Sequence, residues 1–125
     1  MGRIAGGFLV PHDPVMFVEP EAPPPDIRER IWGAFRTCAD RLAALEATSV
    51  VIVGADHYFN FGTGCLPQYL IGTGDVEGPL DVMPGLKRQV IPTSQPLANF
   101  IASHGHEHGF DWAVARAISV DHAVA

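Results

Sequence analysis

The sequence lacks the features that mark a disulfide-rich, nucleic-acid-binding or membrane protein. Its only two cysteines, Cys38 and Cys65, lie in neither a C-x-x-C nor a zinc-finger spacing, so we expect both to be reduced and packed. The sequence has eight Lys and Arg residues and 14 Asp and Glu residues, and the resulting net charge of −6 disfavours binding to nucleic acid and to anionic membranes. The apolar start meets Pro11 too early for a secretion signal or a membrane span, and we expect a cytoplasmic protein.

Two catalytic motifs are also missing. No Gly-x-Ser-x-Gly marks a serine nucleophile, and no glycine-rich loop with a lysine marks a phosphate site. What is present is a composition of 47% hydrophobic and 18% charged residues, which is typical of a globular protein. The length of 125 residues predicts a single domain, residues 1–125.

The first half of the sequence predicts a strand, a helix and a second strand. Residues 3–10 have apolar positions between glycines, and Val50–Val53 form an unbroken β-branched run, as in a strand buried on both faces of a parallel sheet. Between them, the proline-rich segment 13–25 predicts a loop, and a helix is expected from about Asp26, with a capping box, to Ala47. This order predicts a right-handed βαβ crossover in an α/β fold, with a mostly parallel sheet and flanking helices.

The second half continues with shorter elements. We expect a short strand at 66–71, a turn-rich connection at 72–85 and a brief strand at Val90 and Ile91. A helix is predicted over 96–108, capped by Thr93 or Ser94, ended by Gly109 and burying Leu97, Phe100 and Ile101. A last strand is predicted over 112–120.

Three of the six histidines share one position relative to the predicted strands. His12, His57 and His122 each lie within two residues of the carboxyl end of an apolar strand. Parallel strands bring these ends to one edge of the sheet, where α/β proteins bind ligands. One such histidine is more often a loop residue hydrogen-bonded to backbone, but three together favour a site. Asp56 and Asp121, which precede two of them, are candidate supporting carboxylates, although neighbouring residues point in different directions.

The other histidines form the motif His104-Gly105-His106-Glu107-His108. On a strand, alternate histidines would share a face and could hold a metal. The surrounding pattern is helical, however, and on a helix only His104 and His108 share a face. We interpret the motif as a solvated last helical turn, favourable to the helix dipole when its histidines are protonated.

Two imidazoles and a carboxylate form the facial triad of non-haem Fe(II) oxygenases. Four blocks of this chain resemble, in order and spacing, the N-terminal part of the catalytic subunit of class III extradiol ring-cleavage dioxygenases. They are Pro11-His12-Asp13-Pro14, Val51-Ile52-Val53-Gly54-Ala55-Asp56-His57-Tyr58, Leu66-Pro67-Gln68-Tyr69-Leu70-Ile71-Gly72 and Val120-Asp121-His122.

The resemblance implies a partial version of that family's α/β fold and its aromatic ring-cleavage chemistry. It implies that His12 and His57 bind Fe(II) and that His122 is the catalytic acid/base. The substrates it implies are a catechol-type compound and O₂, with a homo-oligomer or a small partner subunit as further options. Neither nucleic acid nor membrane is an expected partner.

Two departures from the family pattern matter. Ala123 stands where the family has glycine, and the family's glutamate ligand and second catalytic histidine lie further along than this chain extends. We therefore expect a fragment of a longer catalytic domain, with low or no activity alone. The alternative is a non-catalytic binding or interaction module of the same fold. A zinc hydrolase would use the same histidines, but no motif supports it.

Overall fold

The computed structural model describes residues 2–124. The chain divides into two compact units, Met1–Val51 and Ile52–Ala125. The first holds the helices α1, Val15–Val18, and α2, Pro25–Ala44. The second holds β1, Leu70–Gly78, β2, Gln89–Ile91, α3, Gln95–Glu107, and β3, Ala113–Ser119. No helix within residues 2–124 has the length and apolar character needed to cross a membrane.

The long helix α2 confirms the predicted helix but corrects its start. The helix begins at Pro25, with Pro24 as the N-cap residue and no side-chain capping bond, so the predicted capping box at Asp26 is wrong. Proline suits the first helical position because its missing N–H would have no partner there. Asp26 lies in the first turn, where its negative charge favours the helix dipole.

The predicted loop 13–25 contains the one-turn helix α1. Asp13 Oδ1 accepts a hydrogen bond from the N–H of Val15 at 3.0 Å, which favours a turn at this point. Phe17 then meets Trp32 of α2 edge to face, with ring centroids 6.2 Å apart. The apolar patch of the segment is therefore part of the packing of the first unit.

The strands predicted at 3–10 and at Val50–Val53 are wrong. Neither segment is in a strand, and their apolar side chains are exposed, with Leu9 at 100% and Val53 at 90%. A strand needs a hydrogen-bonded neighbour, which residue preference alone does not supply. The βαβ crossover predicted around α2 is wrong for the same reason.

The sheet lies in the second unit and is mixed. Its order is β2-β1-β3, with β1 and β3 parallel and β1 and β2 antiparallel. The helix α3 follows β2 along the chain and contacts β1. The α/β class is confirmed, whereas a mostly parallel sheet is not what forms. The brief strand at Val90 and Ile91 and the strand predicted at 112–120 are both confirmed.

The central strand β1 occupies most of the segment that the sequence predicts as a turn-rich connection. Its glycines, which suggest turns in the sequence, instead allow the backbone of a neighbouring strand to approach closely. A Cβ at Gly74 would overlap the carbonyl oxygen of Arg116 in β3. The register of the β1–β3 pair shifts between Gly72 and Asp75, and Thr93 Oγ1 donates to the carbonyl of Gly74 at 2.9 Å. Glycine is therefore required where β1 bulges against its neighbour.

The helix α3 is close to its predicted range, with Ser94 as the N-cap residue. It ends before Gly109, whose φ of +85° is a conformation that glycine adopts readily. Gly105 is buried because the indole ring of Trp112 packs against it so closely that a Cβ at residue 105 would overlap the ring. The Nε1 of Trp112 donates to the carbonyl of Ala102 at 3.2 Å. Phe100, predicted to be buried, is 65% exposed.

Apolar side chains are only partly covered throughout the described residues. None of them is fully buried, and the buried polar residues are Thr73 and Asp121. Cys38 is half-buried and Cys65 is exposed, and both thiols are free, so the predicted packing is wrong for Cys65.

Candidate functional site

The parallel pair β1 and β3 determines where the candidate site lies. The backbone pairing continues past both strands, since Val120 N donates to the Glu77 carbonyl and Leu80 N to the Val120 carbonyl, each at 2.8 Å. The segments that follow the two strands therefore lie side by side at the carboxyl edge of the sheet. This is the edge where α/β proteins place their ligands.

The first pair at this edge joins Asp81, which follows β1, to His122, which follows β3. Asp81 Oδ1 accepts from the backbone N–H of His122 at 2.9 Å, and Oδ2 lies 2.5 Å from Nδ1 of the ring. The two side chains are only 11% and 8% exposed. A carboxylate at Nδ1 favours the tautomer with its proton there, which places the lone pair of the neutral ring at Nε2.

His57 reaches the same edge on a loop rather than at the end of a strand. Asp56 holds that loop by accepting hydrogen bonds from the N–H and side-chain amide of Asn60 and from the N–H of Phe61. The amide of Asn60 also donates to the carbonyl of Ser119 at 2.8 Å. This second bond connects the His57 loop to the last residue of β3.

Asp121 contacts both the backbone and the ring of His57. Its Oδ2 accepts from the backbone N–H of His57 at 2.9 Å and lies 2.8 Å from Nδ1 of the ring, while Oδ1 accepts from the N–H of Ala123 at 2.9 Å. The residue is 2% exposed. Burial on its own would raise the pKa of Asp121, but the hydrogen bonds from the His57 and Ala123 backbone and from the His57 ring outweigh it and lower the pKa.

The two imidazoles are stacked. The ring centroids of His57 and His122 are 4.9 Å apart with an interplanar angle of 12°. One donor atom each from His57, Asp121 and His122 lies within 4.8 Å of the others. Both oxygens of Asp121 accept hydrogen bonds within the protein, and the contact of Oδ2 with Nδ1 orients the His57 ring. Imidazoles that bind metals are commonly held in this way.

Gly54 makes room beside the site. A Cβ at this position would come within 2.6 Å of Val124 Cγ2 and 3.3 Å of the carbonyl oxygen of Ala123. The chain after His122 can therefore lie against the start of the His57 loop only because residue 54 has no side chain.

The structure confirms that His57 and His122 come together, although the predicted reason holds only for His122. His122 follows a real strand, whereas Val53 does not end one. Asp56 holds its own loop, and Asp121 supports His57, 64 residues away in sequence. His12 lies ahead of α1 in the first unit, and its role stays a prediction.

Asp81 is the residue of the candidate site that sequence reasoning missed. Its signal was positional, because it follows the end of β1 by three residues, but β1 was predicted as a connection. A correct assignment of β1 would have placed Asp81 beside the residues after β3.

Comparison with curated proteins supports the resemblance found in the sequence. The chain is 29% identical over 119 residues to a 2,3-dihydroxyphenylpropionate/2,3-dihydroxicinnamic acid 1,2-dioxygenase of Rhodococcus rhodochrous, covering 89% of this chain and 34% of the relative. It is 27% identical over 116 residues to a protein of the same name from Escherichia coli, covering 91% of this chain and 35% of the relative. The predicted resemblance to extradiol dioxygenases is thereby confirmed.

The chain spans about a third of the length of the curated relatives it matches. No protein-family model matches the chain. No solved structure matches it significantly.

Proposed function

We propose that this chain carries the iron-binding histidines and one acid/base histidine of a non-haem Fe(II)-dependent extradiol dioxygenase. In this proposal His12 and His57 bind Fe(II), His122 exchanges protons with a catechol-type substrate, and O₂ is the co-substrate. The fold would be part of the class III extradiol dioxygenase fold. The names of the relatives and the stacked pair of carboxylate-supported imidazoles support it.

The second unit supplies one candidate ligand of such a metal centre, His57. With Asp121 at Nδ1, the neutral His57 ring presents its lone pair at Nε2, the nitrogen that would bind the ion. His57 is also the more accessible imidazole, since its side chain is 40% exposed against 8% for His122. The role of His12 rests on the sequence resemblance alone.

His122 suits proton transfer better than metal binding. Asp81 holds both its backbone and its ring, so the ring orientation is fixed before any substrate arrives. In the proposed reaction its Nε2 takes a proton from a catechol hydroxyl and returns it to the ring-opened product. The chemistry that Fe(II) supplies when bound is to orient both reactants and neutralise their developing negative charge.

A second candidate function is a binding module of the same fold without catalysis. One observation favours it: the carboxylate that contacts His57 is 2% exposed and accepts hydrogen bonds from His57 and Ala123 through both of its oxygens, which disfavours it as the third ligand of a facial triad. Such a module would bind catechols without consuming oxygen.

The test is an anaerobic Fe(II) titration of the whole chain, followed by oxygen uptake with a panel of catechols. We expect His12→Ala and His57→Ala each to weaken Fe(II) binding by more than tenfold. We expect His122→Ala to preserve iron affinity while abolishing any oxygen uptake. The matched control is His106→Ala, an exposed histidine of α3, which should change neither.

Asp121→Ala tests the support of His57 separately. Removing a carboxylate behind a metal-binding imidazole typically costs 10- to 100-fold in metal affinity, and we expect about that loss here. An exposed aspartate, Asp111, gives the control Asp111→Ala. Equal losses of iron affinity in His12→Ala, His57→Ala and His106→Ala would refute the assignment. Catechol binding with no iron binding would favour the second candidate.

A further inference from the structure

The last turn of α3 carries a cluster of donors that the proposed dioxygenase chemistry does not use. His104, Glu107 and His108 are exposed, and one donor atom from each lies within 4.8 Å of the others. The helix covers 95–107 and His108 is its C-cap residue, whose N–H donates to the carbonyl of His104 at 3.2 Å, so residues 104 and 108 lie one turn apart on the same face. His106 lies on the same turn outside this group.

We propose that this turn of α3 is a binding site for a divalent transition-metal ion such as Zn²⁺, held by His104 and His108 with the carboxylate of Glu107 as a third ligand. Imidazole and carboxylate are ordinary zinc ligands, and imidazole also suits Ni²⁺ and Cu²⁺. The inference is independent of the proposed dioxygenase function.

A hydrogen bond to the backbone prepares His108 for this role. Its Nδ1 lies 2.7 Å from the carbonyl oxygen of His104. A carbonyl only accepts, so Nδ1 carries the proton and the lone pair of the neutral ring is at Nε2. Backbone carbonyls commonly fix the tautomer and orientation of metal-binding histidines in this manner.

The second ring is also held in place. His104 stacks on Phe100, with centroids 5.7 Å apart and an angle of 14°, and its centroid lies 4.1 Å from that of His108. Two imidazole nitrogens on one tetrahedral ion are about 3.4 Å apart, given bonds of about 2.1 Å. One donor atom from each ring lies within 4.8 Å of the other, so a small side-chain rotation would bring both onto one ion.

Metal binding at this point would reinforce the packing of the helix end. Gly105 lies between the two histidines and packs against Trp112, and the N–H of Phe110 donates to its carbonyl at 2.9 Å. An ion that joins residues 104 and 108 would hold closed the turn that makes these contacts. Because it binds the folded state, it would raise thermal stability.

The test is Zn²⁺ titration by calorimetry, with the melting temperature as a second readout. We expect the wild type to bind one more equivalent of Zn²⁺ than His104→Gln or His108→Gln, and to gain more thermal stability from it. Glu107→Gln should weaken the binding of this additional Zn²⁺ ion by less than either histidine variant does. His106→Gln is the matched control and should bind as the wild type does. All four residues are exposed, and far-UV circular dichroism verifies that the variants remain helical.

The two sites can be distinguished in the same experiment. His57→Ala should still bind the Zn²⁺ equivalent at α3, whereas His104→Gln should bind Fe(II) with the affinity of the wild type. The inference is overturned if His104→Gln and His108→Gln bind as many equivalents as the wild type. Equal loss in His106→Gln would also overturn it, because binding would then depend on histidine content and not on the shared helix face.

Discussion

Asp121 receives hydrogen bonds from both the backbone and the ring of His57, while the histidine next to it in sequence, His122, is held by Asp81. Each imidazole thus has a carboxylate from a distant part of the chain. The His57 pair spans 64 residues and the His122 pair spans 41, so both depend on the fold of the second unit. Stability and site geometry are consequently coupled.

The pH dependence of stability should report the Asp121 contacts. The folded-state pKa of Asp121 is below its unfolded value, so its stabilising contribution is complete above the unfolded pKa, near 3.8. The contribution is lost as the pH falls from there through the folded pKa. We expect Asp121→Asn to lower the free energy of unfolding by about 2 kcal/mol at pH 7. In urea titrations the difference in the free energy of unfolding between the wild type and Asp121→Asn should narrow toward pH 3. A difference that does not change with pH would contradict the ionised Asp121 carboxylate as its cause.

Replacing Asp81 should change the tautomer of His122. In Asp81→Asn the side-chain amide keeps one acceptor for the His122 backbone and presents its NH₂ group to the ring. Nδ1 would then accept and Nε2 would carry the proton, which removes the base proposed for catalysis. Imidazole ¹⁵N chemical shifts measure the tautomer directly. The exposed Asp75 provides the control Asp75→Asn, and an unchanged His122 spectrum in Asp81→Asn would rule out the carboxylate as its cause.

The same substitution should have opposite effects at two helical glycines. Gly105→Ala places a methyl group in the indole of Trp112, and we expect a loss of about 2–3 kcal/mol in the free energy of unfolding. Gly33→Ala in α2 meets only the guanidinium of Arg36 at 3.7 Å, an ordinary contact. Its better helix propensity should stabilise the protein by about 0.5–1 kcal/mol. Denaturant titration separates the two signs, and stabilisation in both variants would contradict the packing of Trp112.

The bulge of β1 should be intolerant of any side chain at Gly74. The Cβ of Gly74→Ala would overlap the carbonyl oxygen of Arg116, and a backbone shift must separate β1 from β3. We expect a destabilisation of about 2–3 kcal/mol and displaced backbone amide signals for residues 121 and 122. Gly64→Ala is the control, since nothing lies within 4 Å of its Cβ position. Unchanged stability in Gly74→Ala would mean that the two strands are further apart than described.

Helix periodicity was the most informative part of the sequence. The apolar spacing of α2 and the cap and stop signals around α3 placed both helices to within a few residues. Strands were harder, because burial and pairing are properties of the whole fold. Val50–Val53 had the residue preferences of a buried strand, but no strand among residues 2–124 pairs with it, whereas β1 had three glycines and became the centre of the sheet.

The histidines of the candidate site were found from position, but their partners were not. His57 and His122 stand after apolar segments, and that pattern was visible without a structure. The pairing of Asp121 with His57 and of Asp81 with His122 depends on which segments follow β1 and β3, a long-range relation that spacing does not encode. Sequence-adjacent Asp-His pairs were a misleading signal here, because adjacent side chains leave the backbone in different directions.

The exposed segment Val50–Val53 has a consequence for the behaviour of the protein in concentrated solution. Four β-branched residues, each 57% exposed or more, present backbone that no strand within residues 2–124 pairs with. Such a segment can template intermolecular cross-β assembly as protein concentration rises. Titrations should therefore be run as a dilution series with light scattering, so that losses to turbidity are not mistaken for unfolding or for metal-driven precipitation.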